Sequence, residues 1–253
     1  MKLDNSSILV TGGTRGLGKQ FSLDLARRGA RVGVCSTDEE RLQAQKREFG
    51  KEGLSVWTRR ADVSDPEQVE EMFREFVKDH GRIDALVNNA GITRDCLLVK
   101  PGPDGTLLKM PYERWARVID VNLTGVFLCG REAAWHMIQL KTGGVIVNIS
   151  SVCRAGNIGQ TSYSAAKAGV VAMTVAWAKE LARYGIRVLS LAPGYVATQM
   201  TQALRPDVRQ RIESAIPMGR MASCEEISDA LQFALGNDYL SGRVLSVDGG
   251  LRI

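Results

Sequence analysis

Histidine and cysteine are scarce in this sequence, and their spacing does not suit metal binding. The only histidines are His80 and His136, and the five cysteines form no Cys-x-x-Cys pair. Structural zinc sites and disulfide-stapled domains need closely spaced ligands or an even set of paired cysteines. The sequence therefore predicts no metal site and no disulfide framework. It favours a reducing compartment, and we expect a cytoplasmic protein.

Long apolar runs and proline are also scarce. The longest run without a charge or a strongly polar break, near 169–178, is about half of the roughly 20 residues that a membrane helix needs. Seven prolines against 26 glycines give no sign of a linker, and 44% hydrophobic with 24% charged residues excludes a disordered chain. We expect one domain over 1–253 and no membrane association.

Positive charge exceeds negative charge, giving a formal net charge of +5, but the basic residues are dispersed along the chain. A nucleic-acid interface would need a basic stripe interleaved with aromatic residues. We therefore predict no nucleic-acid partner. The excess of positive charge suits an anionic small ligand or an acidic carrier.

Short β-branched runs alternate with helical patterns of period 3.6, which predicts an α/β fold with a doubly wound parallel sheet. The clearest helix covers 66–79, and Ser64 with Glu67 predicts a capping box at its start. The strands predicted from the sequence cover 8–11, 31–35, 54–61, 83–88, 145–150, 186–192 and 244–247. A turn-rich stretch at 100–106 interrupts this rhythm and is interpreted as a loop inserted at the ligand-binding edge of the sheet.

A glycine-rich turn, Thr11-Gly12-Gly13-Thr14-Arg15-Gly16-Leu17-Gly18, joins the first strand to a helix. Such a turn lets the backbone approach a pyrophosphate, and the helix N-terminus then presents free N–H groups to it. The second strand ends in Cys35-Ser36-Thr37, which is neutral, and Arg15 could reach a 2′-phosphate. NADP(H) is therefore favoured. NAD(H) is not excluded, because Asp38 follows closely, although Thr37 and Glu40 predict a capping box that would place Asp38 in the first turn of the next helix.

Tyr163 and Lys167 lie four residues apart in an alanine-rich helical segment, so both side chains emerge on one face. A lysine ammonium about 4 Å from the phenol would be worth about 4 kcal/mol at an effective dielectric of about 20, or about three pKa units. That would bring tyrosine into the range of a useful general acid or base. Ser150 and Ser151 end the preceding strand, where one hydroxyl could hold a substrate oxygen. Asn122, a poor helix-interior residue in an apolar helix, is either a functional residue or a satisfied structural one.

These segments together resemble the short-chain dehydrogenase/reductase family over essentially the whole chain. The matching motifs are TGGTRGLG (11–18), DV (62–63), NNAG (88–91), VNLTGVF (121–127), the Ser150-Ser151 pair, YSAAK (163–167), PGYVAT (193–198) and VDGG (247–250). The resemblance implies a Rossmann-like sheet of seven parallel strands in the order 3-2-1-4-5-6-7, with helices on both faces. Within the family, the segments at 91–95 and 156–161 resemble the 3-oxoacyl-(acyl-carrier-protein) reductases and acetoacetyl-CoA reductases.

The resemblance also implies roles for individual residues. Tyr163 would protonate the carbonyl oxygen as hydride arrives, Lys167 would lower the pKa of Tyr163 and bind the nicotinamide ribose, and Asn122 would support a water beside Lys167. The family spacing leaves the serine open: Ser150 is thirteen residues before Tyr163, whereas strand register favours Ser151. The residues expected at the cofactor are Gly12, Thr14, Arg15, Gly16, Leu17, Gly18, Ser36, Thr37, Asp62, Val63, Asn89, Ala90, Gly91, Tyr163, Lys167, Pro193, Gly194, Val196 and Thr198.

The expected activity is NADPH-dependent reduction of a 3-oxoacyl thioester of acyl carrier protein or coenzyme A, in a cleft formed by about 92–112 and 194–220. The inserted loop puts the acyl-carrier assignment in doubt and leaves open a dehydrogenase of another secondary alcohol, such as a sugar, a cyclic alcohol or a steroid. Members of the family are usually tetramers, so we expect a homotetramer. A non-catalytic dinucleotide-binding protein is disfavoured by the Tyr163 and Lys167 pair.

Overall fold

The computed structural model describes residues 1–198, 201 and 205–252. Its strands are β1 (Ser7–Thr11), β2 (Arg31–Ser36), β3 (Val56–Arg60), β4 (Ala85–Asn88), β5 (Val99–Pro101), β6 (Leu107–Lys109), β7 (Gly144–Ile149), β8 (Ile186–Pro193) and β9 (Val244–Val247). Its α-helices are α1 (Gly16–Arg27), α2 (Glu39–Lys51), α3 (Pro66–His80), α4 (Tyr112–Ile119), α5 (Gly125–Gln139), α6 (Thr161–Leu181), α7 (Pro206–Ala215) and α8 (Cys224–Gly236).

Seven of these strands form one sheet in the order β3-β2-β1-β4-β7-β8-β9, and every neighbouring pair is parallel. Omitting β5 and β6, this is the predicted order 3-2-1-4-5-6-7, so the predicted fold is confirmed. Successive residues of a strand face opposite sides of a sheet. Accordingly, Ile8 and Val10 of β1 belong to one apolar core and Leu9 to the other, and all three are fully buried.

The inserted segment is a hairpin rather than the predicted loop. Strands β5 and β6 pair with each other antiparallel, apart from the main sheet. The tight turn between them is closed by hydrogen bonds from the Gly102 amide to the Thr106 carbonyl at 2.7 Å and from the Gly105 amide to the Gly102 carbonyl at 3.1 Å. Gly105 has φ +81°, a conformation that favours glycine.

Both predicted capping boxes are wrong. Asp65, not Ser64, caps α3, and its carboxylate accepts hydrogen bonds from the amides of Glu67 and Gln68 at 3.0 and 3.2 Å. Asp38, not Thr37, caps α2 and accepts from the Arg41 amide at 3.1 Å. In each case an aspartate one residue closer to the helix reaches the free amides first.

The helical region around Asn122 is not one continuous α-helix. A π-helical turn, Asp120–Thr124, lies between α4 and α5. Single π-turns inside helices are frequent at functional sites. Among the residues that the structure describes, no helix is long and apolar enough to cross a membrane.

Candidate active site

The predicted site residues gather at one edge of the sheet. The glycine-rich turn follows β1, Ser36 ends β2, Asn89 follows β4, and Ser151 follows β7. Parallel strands bring their carboxyl ends to the same edge, which is where ligands bind in open α/β sheets. The sheet therefore assembles segments that are far apart in the sequence.

The glycine-rich turn packs closely on the turn that follows β4. Gly12 has φ +63°, and a Cβ atom there would lie 2.9 Å from the Cα of Ala90. A Cβ on Gly18 would lie 2.3 Å from the carbonyl oxygen of Gly12. Helix α1 starts at Gly16, and its N-cap residue Arg15 makes no side-chain capping bond to any described residue. The first amides of α1 are thus available to an anion.

Thr11 and Asn89 lock these two turns together. The Thr11 hydroxyl accepts hydrogen bonds from the amides of Asn89 and Ala90, each at 3.0 Å. The Asn89 side chain donates to the carbonyls of Thr11 and Gly12 at 3.0 and 3.1 Å. The sequence analysis expected Asn89 at the cofactor, whereas it named Thr11 only as the first residue of the glycine-rich turn and gave its hydroxyl no role.

The end of β2 carries hydroxyl groups and a nearby cation. The Thr14 hydroxyl donates to the Ser36 hydroxyl at 3.3 Å, which brings the glycine-rich turn to the end of β2. Arg60 ends the adjacent strand β3 opposite Ser36, and its Nε donates to the Thr37 carbonyl at 3.3 Å. Sequence reasoning did not select Arg60, because only the sheet pairing brings it here.

The acidic residue that follows β2 is already engaged. Besides capping α2, the Asp38 carboxylate forms an ion pair with Arg41 at 2.9 Å. It is therefore partly neutralised by its own helix, which weakens the case for Asp38 as a ribose acceptor.

Asp62 has several partners of its own. One carboxylate oxygen accepts from the amide and hydroxyl of Ser64 at 3.0 and 2.6 Å, and the other accepts from Arg117 at 2.9 Å. Partial burial would raise the pKa of Asp62, but these hydrogen bonds outweigh it and hold the pKa below its usual value. The next residue, Val63, packs on Gly125, where a Cβ would lie 2.8 Å from a Val63 methyl group.

Asn122 is fully buried and holds the segment after β4. Its side-chain oxygen accepts from the Ile92 amide, and its side-chain nitrogen donates to the Ile92 carbonyl, each at 2.8 Å. Gly91 lies directly beside it, since a Cβ there would be 3.4 Å from the Asn122 oxygen. The side-chain oxygen and nitrogen of Asn122 thus each have a hydrogen-bond partner, and Asn122 positions the backbone next to the site.

Helix α6 brings Tyr163 and Lys167 to the end of β7. The Lys167 Nζ donates to the Ile149 carbonyl at 2.6 Å and lies 5.7 Å from the centre of the Tyr163 ring. The two serines differ: the Ser150 hydroxyl donates to the Lys167 carbonyl at 2.9 Å, whereas the Ser151 hydroxyl accepts from the Cys153 amide at 3.1 Å and lies close enough to the Tyr163 phenol to lower its pKa. The structure therefore brings Ser151, not Ser150, to the phenol.

The pKa values differ from the expectation for the tyrosine and lysine pair. Burial raises the pKa of Tyr163 to about 12, and the nearby Ser151 hydroxyl lowers it only in part. Burial lowers the pKa of Lys167 to about 8. The lysine side chain is directed to the Ile149 carbonyl, and the protein groups alone do not lower the pKa of the Tyr163 phenol toward neutral pH. These groups therefore keep the proton on Tyr163.

Segments on either side of the site residues support them. A buried chain of side-chain hydrogen bonds runs from Asn88 to Asn148 at 2.9 Å and on to Thr174 at 3.0 Å, joining β4, β7 and α6. Gln160 donates to the Asp95 carboxylate at 3.1 Å, which ties the segment after β4 to the start of α6. The sequence analysis named Asn88 only as part of the NNAG motif and did not select Asn148 or Thr174, because the hydrogen-bond partner of a buried polar side chain leaves no local signal in the sequence.

The turn after β8 closes the site. Gly194 packs on the segment after β9, where a Cβ would lie 2.9 Å from the Cα of Asp248. Val196 pairs with Ala222 in an isolated bridge. Thr198 reaches the glycine-rich turn, since a Cβ on Gly16 would lie 3.7 Å from its methyl group. The predicted cleft segment at 194–220 includes 199–200 and 202–204, which lie outside the described residues.

We expect the buried Lys167 to make stability depend on pH. Its pKa is about 8 in the folded chain against 10.5 for the free side chain, so between these values the unfolded chain binds a proton that the folded chain does not. The free energy of unfolding must then rise with pH. Relative to K167M, it should rise by about 2 kcal/mol between pH 8 and 9.5.

Urea denaturation of both proteins at each pH measures this difference. The matched control is K179M, which removes an exposed lysine from the same helix. A difference between the unaltered protein and K167M that stays constant with pH would show that Lys167 is not buried as the structure has it.

Comparison with known proteins places the chain in a family. A profile of the family described as short chain dehydrogenase matches residues 6–209. The chain is 42% identical to the 3-oxoacyl-(acyl-carrier-protein) reductase FabG of Thermotoga maritima, with all of both chains aligned. It is 38% identical to the enzyme of the same name from Staphylococcus aureus over 99% of both, and 41% identical to the 3-oxoacyl-(acyl-carrier-protein) reductase of Synechocystis over 96% of this chain and 95% of the other.

A solved structure also resembles this chain over almost its full length. A chain from Agrobacterium tumefaciens, provisionally described as a gluconate dehydrogenase, superimposes with a TM-score of 0.89 and 34% identity, covering 99% of this chain and 98% of the other. The family match covers more than half of the chain, and relatives align over its full length. The chain therefore belongs to the short-chain dehydrogenase/reductase family of NAD(P)-dependent oxidoreductases.

Proposed function

We propose that the protein reduces 3-oxoacyl thioesters to 3-hydroxyacyl thioesters with NADPH. The observation that carries the proposal is that Ser151 and Lys167 both lie beside the Tyr163 side chain, in a chain whose full-length relatives are named as 3-oxoacyl-(acyl-carrier-protein) reductases. Purified protein with acetoacetyl-CoA should consume NADPH, followed by the loss of its absorbance. Failure to turn over any 3-oxoacyl thioester would overturn the proposal.

The residues present fit a nicotinamide dinucleotide. The glycine-rich turn is a cradle that any Cβ at Gly12 or Gly18 would fill, and α1 has uncapped amides that suit a pyrophosphate. We assign Thr14, Gly16, Leu17 and Thr198 to the phosphates. The adenosine would lie beside Asp62 and Val63, and the ribose and nicotinamide would lie beside the residues Asn89, Ala90, Gly91, Pro193, Gly194 and Val196. When bound, the nicotinamide ring supplies the hydride.

The catalytic side chains act on the carbonyl oxygen of the substrate. Tyr163, which holds its proton at neutral pH, donates it to that oxygen, and the Ser151 hydroxyl orients the same oxygen. The Lys167 Nζ lies 5.7 Å from the centre of the Tyr163 ring, and in this proposal it binds the nicotinamide ribose. Asn122 holds the backbone of Ile92 and keeps the wall of the site in place. Its role in supporting a water beside Lys167 is part of this proposal.

Three features favour NADPH over NADH. The end of β2 carries the hydroxyl of Ser36 and the backbone of Thr37, with no acidic side chain until Asp38, which is held by α2. Arg15 lies in the glycine-rich turn with an exposed side chain. Arg60 reaches the Thr37 carbonyl from the neighbouring strand. Two guanidinium groups around neutral donors suit a 2′-phosphate.

A second candidate is oxidation of another secondary alcohol. The similarity to the chain described as a gluconate dehydrogenase favours it, since that chain has the same fold and 34% identity. The apolar hairpin at the predicted cleft suits a sugar acid poorly. A panel of gluconate and acetoacetyl-CoA with both cofactors separates the two activities.

The chain is also proposed to form a homotetramer and to accept substrates on an acidic acyl carrier protein. Helices α5 and α6 expose the side chains of Phe127, Trp135 and Val175 by 43%, 54% and 37%, which suits burial against other copies. The net charge of +5 suits an acidic carrier. Light scattering of the purified protein measures the oligomeric state.

We expect Y163F to lower kcat by about a hundredfold or more, because the proton donor is removed. S151A should lower it by about a hundredfold through loss of a hydrogen bond to the carbonyl oxygen. S150A is the comparison: its hydroxyl bonds the Lys167 carbonyl and only helps to position the lysine, so we expect it to lower kcat less than S151A does. Steady-state kinetics with acetoacetyl-CoA measure all three, and a larger effect of S150A than of S151A would reverse the assignment of the serine.

We expect R60Q to weaken NADPH binding about tenfold and to leave NADH binding unchanged, because one charge-assisted hydrogen bond to the 2′-phosphate is lost. R59Q is the control, since Arg59 is adjacent but ion-paired with Glu71 at 2.7 Å and Glu75 at 3.0 Å. Fluorescence titration with each cofactor gives the Kd values. Equal weakening of both cofactors would remove Arg60 from the phosphate site.

We expect T11V to weaken cofactor binding by about tenfold, because the amides of Asn89 and Ala90 lose their acceptor and the two turns separate. T11S keeps the hydroxyl and should restore binding. Titration of both variants with NADPH, with thermal unfolding as a check on folding, tests this. Equal binding by T11V and the unaltered protein would mean that the bond between the turns does not shape the site.

A further inference from the structure

The hairpin beside the site is unusually apolar for a surface element. We call residues 97–112 the arm; it comprises β5, β6 and the residues that flank them. All six residues of the two strands are exposed. The large apolar side chains exposed on the arm are Leu97 at 44%, Leu98 at 65%, Val99 at 50%, Leu107 at 72%, Leu108 at 42% and Tyr112 at 75%.

An isolated two-stranded hairpin is marginally stable in water and needs a packing partner. Exposed apolar patches of this kind mark binding sites. The register pairs Val99 with Lys109, Lys100 with Leu108 and Pro101 with Leu107. Because paired residues share a face and successive residues alternate, Val99 and Leu107 lie on one face, and Leu98 and Leu108 lie on the other.

The base of the arm is fastened to the loop that leads into Tyr163. The Cys96 amide donates to the Gly159 carbonyl at 2.8 Å, one residue before the arm begins. Gln160 donates to Asp95 at 3.1 Å, and the charge of Asp95 is close enough to raise the pKa of Tyr163. At its other end the arm leads into α4, which packs against α6. The arm is therefore continuous with the wall of the catalytic site.

Ile158 extends this surface from the other side. Its side chain is 89% exposed and lies next to Gly159, the residue that receives the hydrogen bond from Cys96. The loop before Tyr163 and the arm, which this hydrogen bond joins, thus both expose large apolar side chains.

The chemistry of the arm points to one occupant. Its strands carry Leu, Val, Pro and Lys side chains, and the carboxylate of its turn, Asp104, is taken up by the amide and hydroxyl of Thr106 at 3.1 and 2.7 Å. Such a surface offers almost no hydrogen-bonding groups to a polyol, and its aliphatic side chains suit an alkyl chain. Lys100 and Lys109 add positive charge, which suits the phosphate groups of a thioester carrier.

We propose that the arm binds the apolar acyl chain of the thioester substrate, so that the enzyme favours chains longer than four carbons. This inference rests on the proposed function and names the substrate class of the same site.

The test compares two double variants, one for each face of the arm: V99S/L107S and L98S/L108S. Steady-state kinetics with NADPH are measured on acetoacetyl-CoA and on 3-oxooctanoyl-CoA. One double variant should lower kcat/KM for the eight-carbon substrate by about tenfold or more. Its kcat/KM for the four-carbon substrate should stay within about twofold of that of the unaltered protein. The other double variant, which changes the face away from the chain, is the matched control within the arm.

A second control is Y239S, which removes a fully exposed tyrosine remote in sequence from the arm. It should leave the ratio of kcat/KM for the eight-carbon substrate to kcat/KM for the four-carbon substrate unchanged. If neither arm variant changes that ratio, or if both variants lower kcat/KM for the two substrates equally, the proposal is overturned.

Two further measurements separate the other occupants of the arm. If the arm variants impair acetoacetyl-(acyl carrier protein) but not 3-oxooctanoyl-CoA, the arm binds the carrier and the acyl-chain proposal is wrong. If they lower the molar mass in light scattering, the arm is an interface between copies and the proposal is again wrong. Absence of any thioester reduction by the unaltered protein would instead overturn the proposed function itself.

Discussion

The active-site edge depends on one close contact, the approach of the turn after β1 to the turn after β4. Gly12 lies so near Ala90 that no larger residue fits, and Thr11 and Asn89 hold the two backbones together through hydrogen bonds of 3.0–3.1 Å. Beyond this contact, helix α1 begins without a side-chain cap, so its first amides are not taken by a capping side chain. The close backbone packing holds the glycine-rich turn and the start of α1 at the edge of the sheet where we propose that the cofactor phosphates bind.

The buried Lys167 is the second constraint, and it acts through burial as much as through charge. Ser150 binds its backbone, and the Ile149 carbonyl binds its ammonium group, so the lysine is fixed between β7 and α6. Burial lowers its pKa to about 8 and raises that of the neighbouring Tyr163 to about 12. Both shifts favour neutral side chains. The protein alone thus presents a protonated phenol, the form that can donate to a carbonyl oxygen in reduction.

Local patterns were sufficient to predict the alternation of strands and helices, the glycine-rich turn and the placement of Tyr163 and Lys167 on one helix face, because each depends on spacing within one or two elements. The strand order was predicted only through the resemblance to a family. The predicted caps at Thr37 and Ser64 were wrong because Asp38 and Asp65 compete for the same amides, and a motif does not rank competitors. The direction of the Lys167 side chain is set by a strand eighteen residues away, so the expected effect on Tyr163 could not be judged from the spacing. The same limit explains why Arg60 was missed, since only β-sheet pairing places it opposite Ser36.

In the arm, the local sequence predicts a loop, whereas the structure has a hairpin with exposed apolar side chains. Its strands are three residues each and lack the alternation that marks a half-buried strand, so the sequence was interpreted as a loop. The structure forms a hairpin there, but leaves its leucines in water. Conflicts of this kind are expected at functional sites, where the missing partner is a ligand and not another part of the chain. The base of the arm is fastened to the loop before Tyr163, so the occupant we propose must both cover the leucines and reach the catalytic residues. A substrate with an alkyl chain meets both requirements with a single binding event.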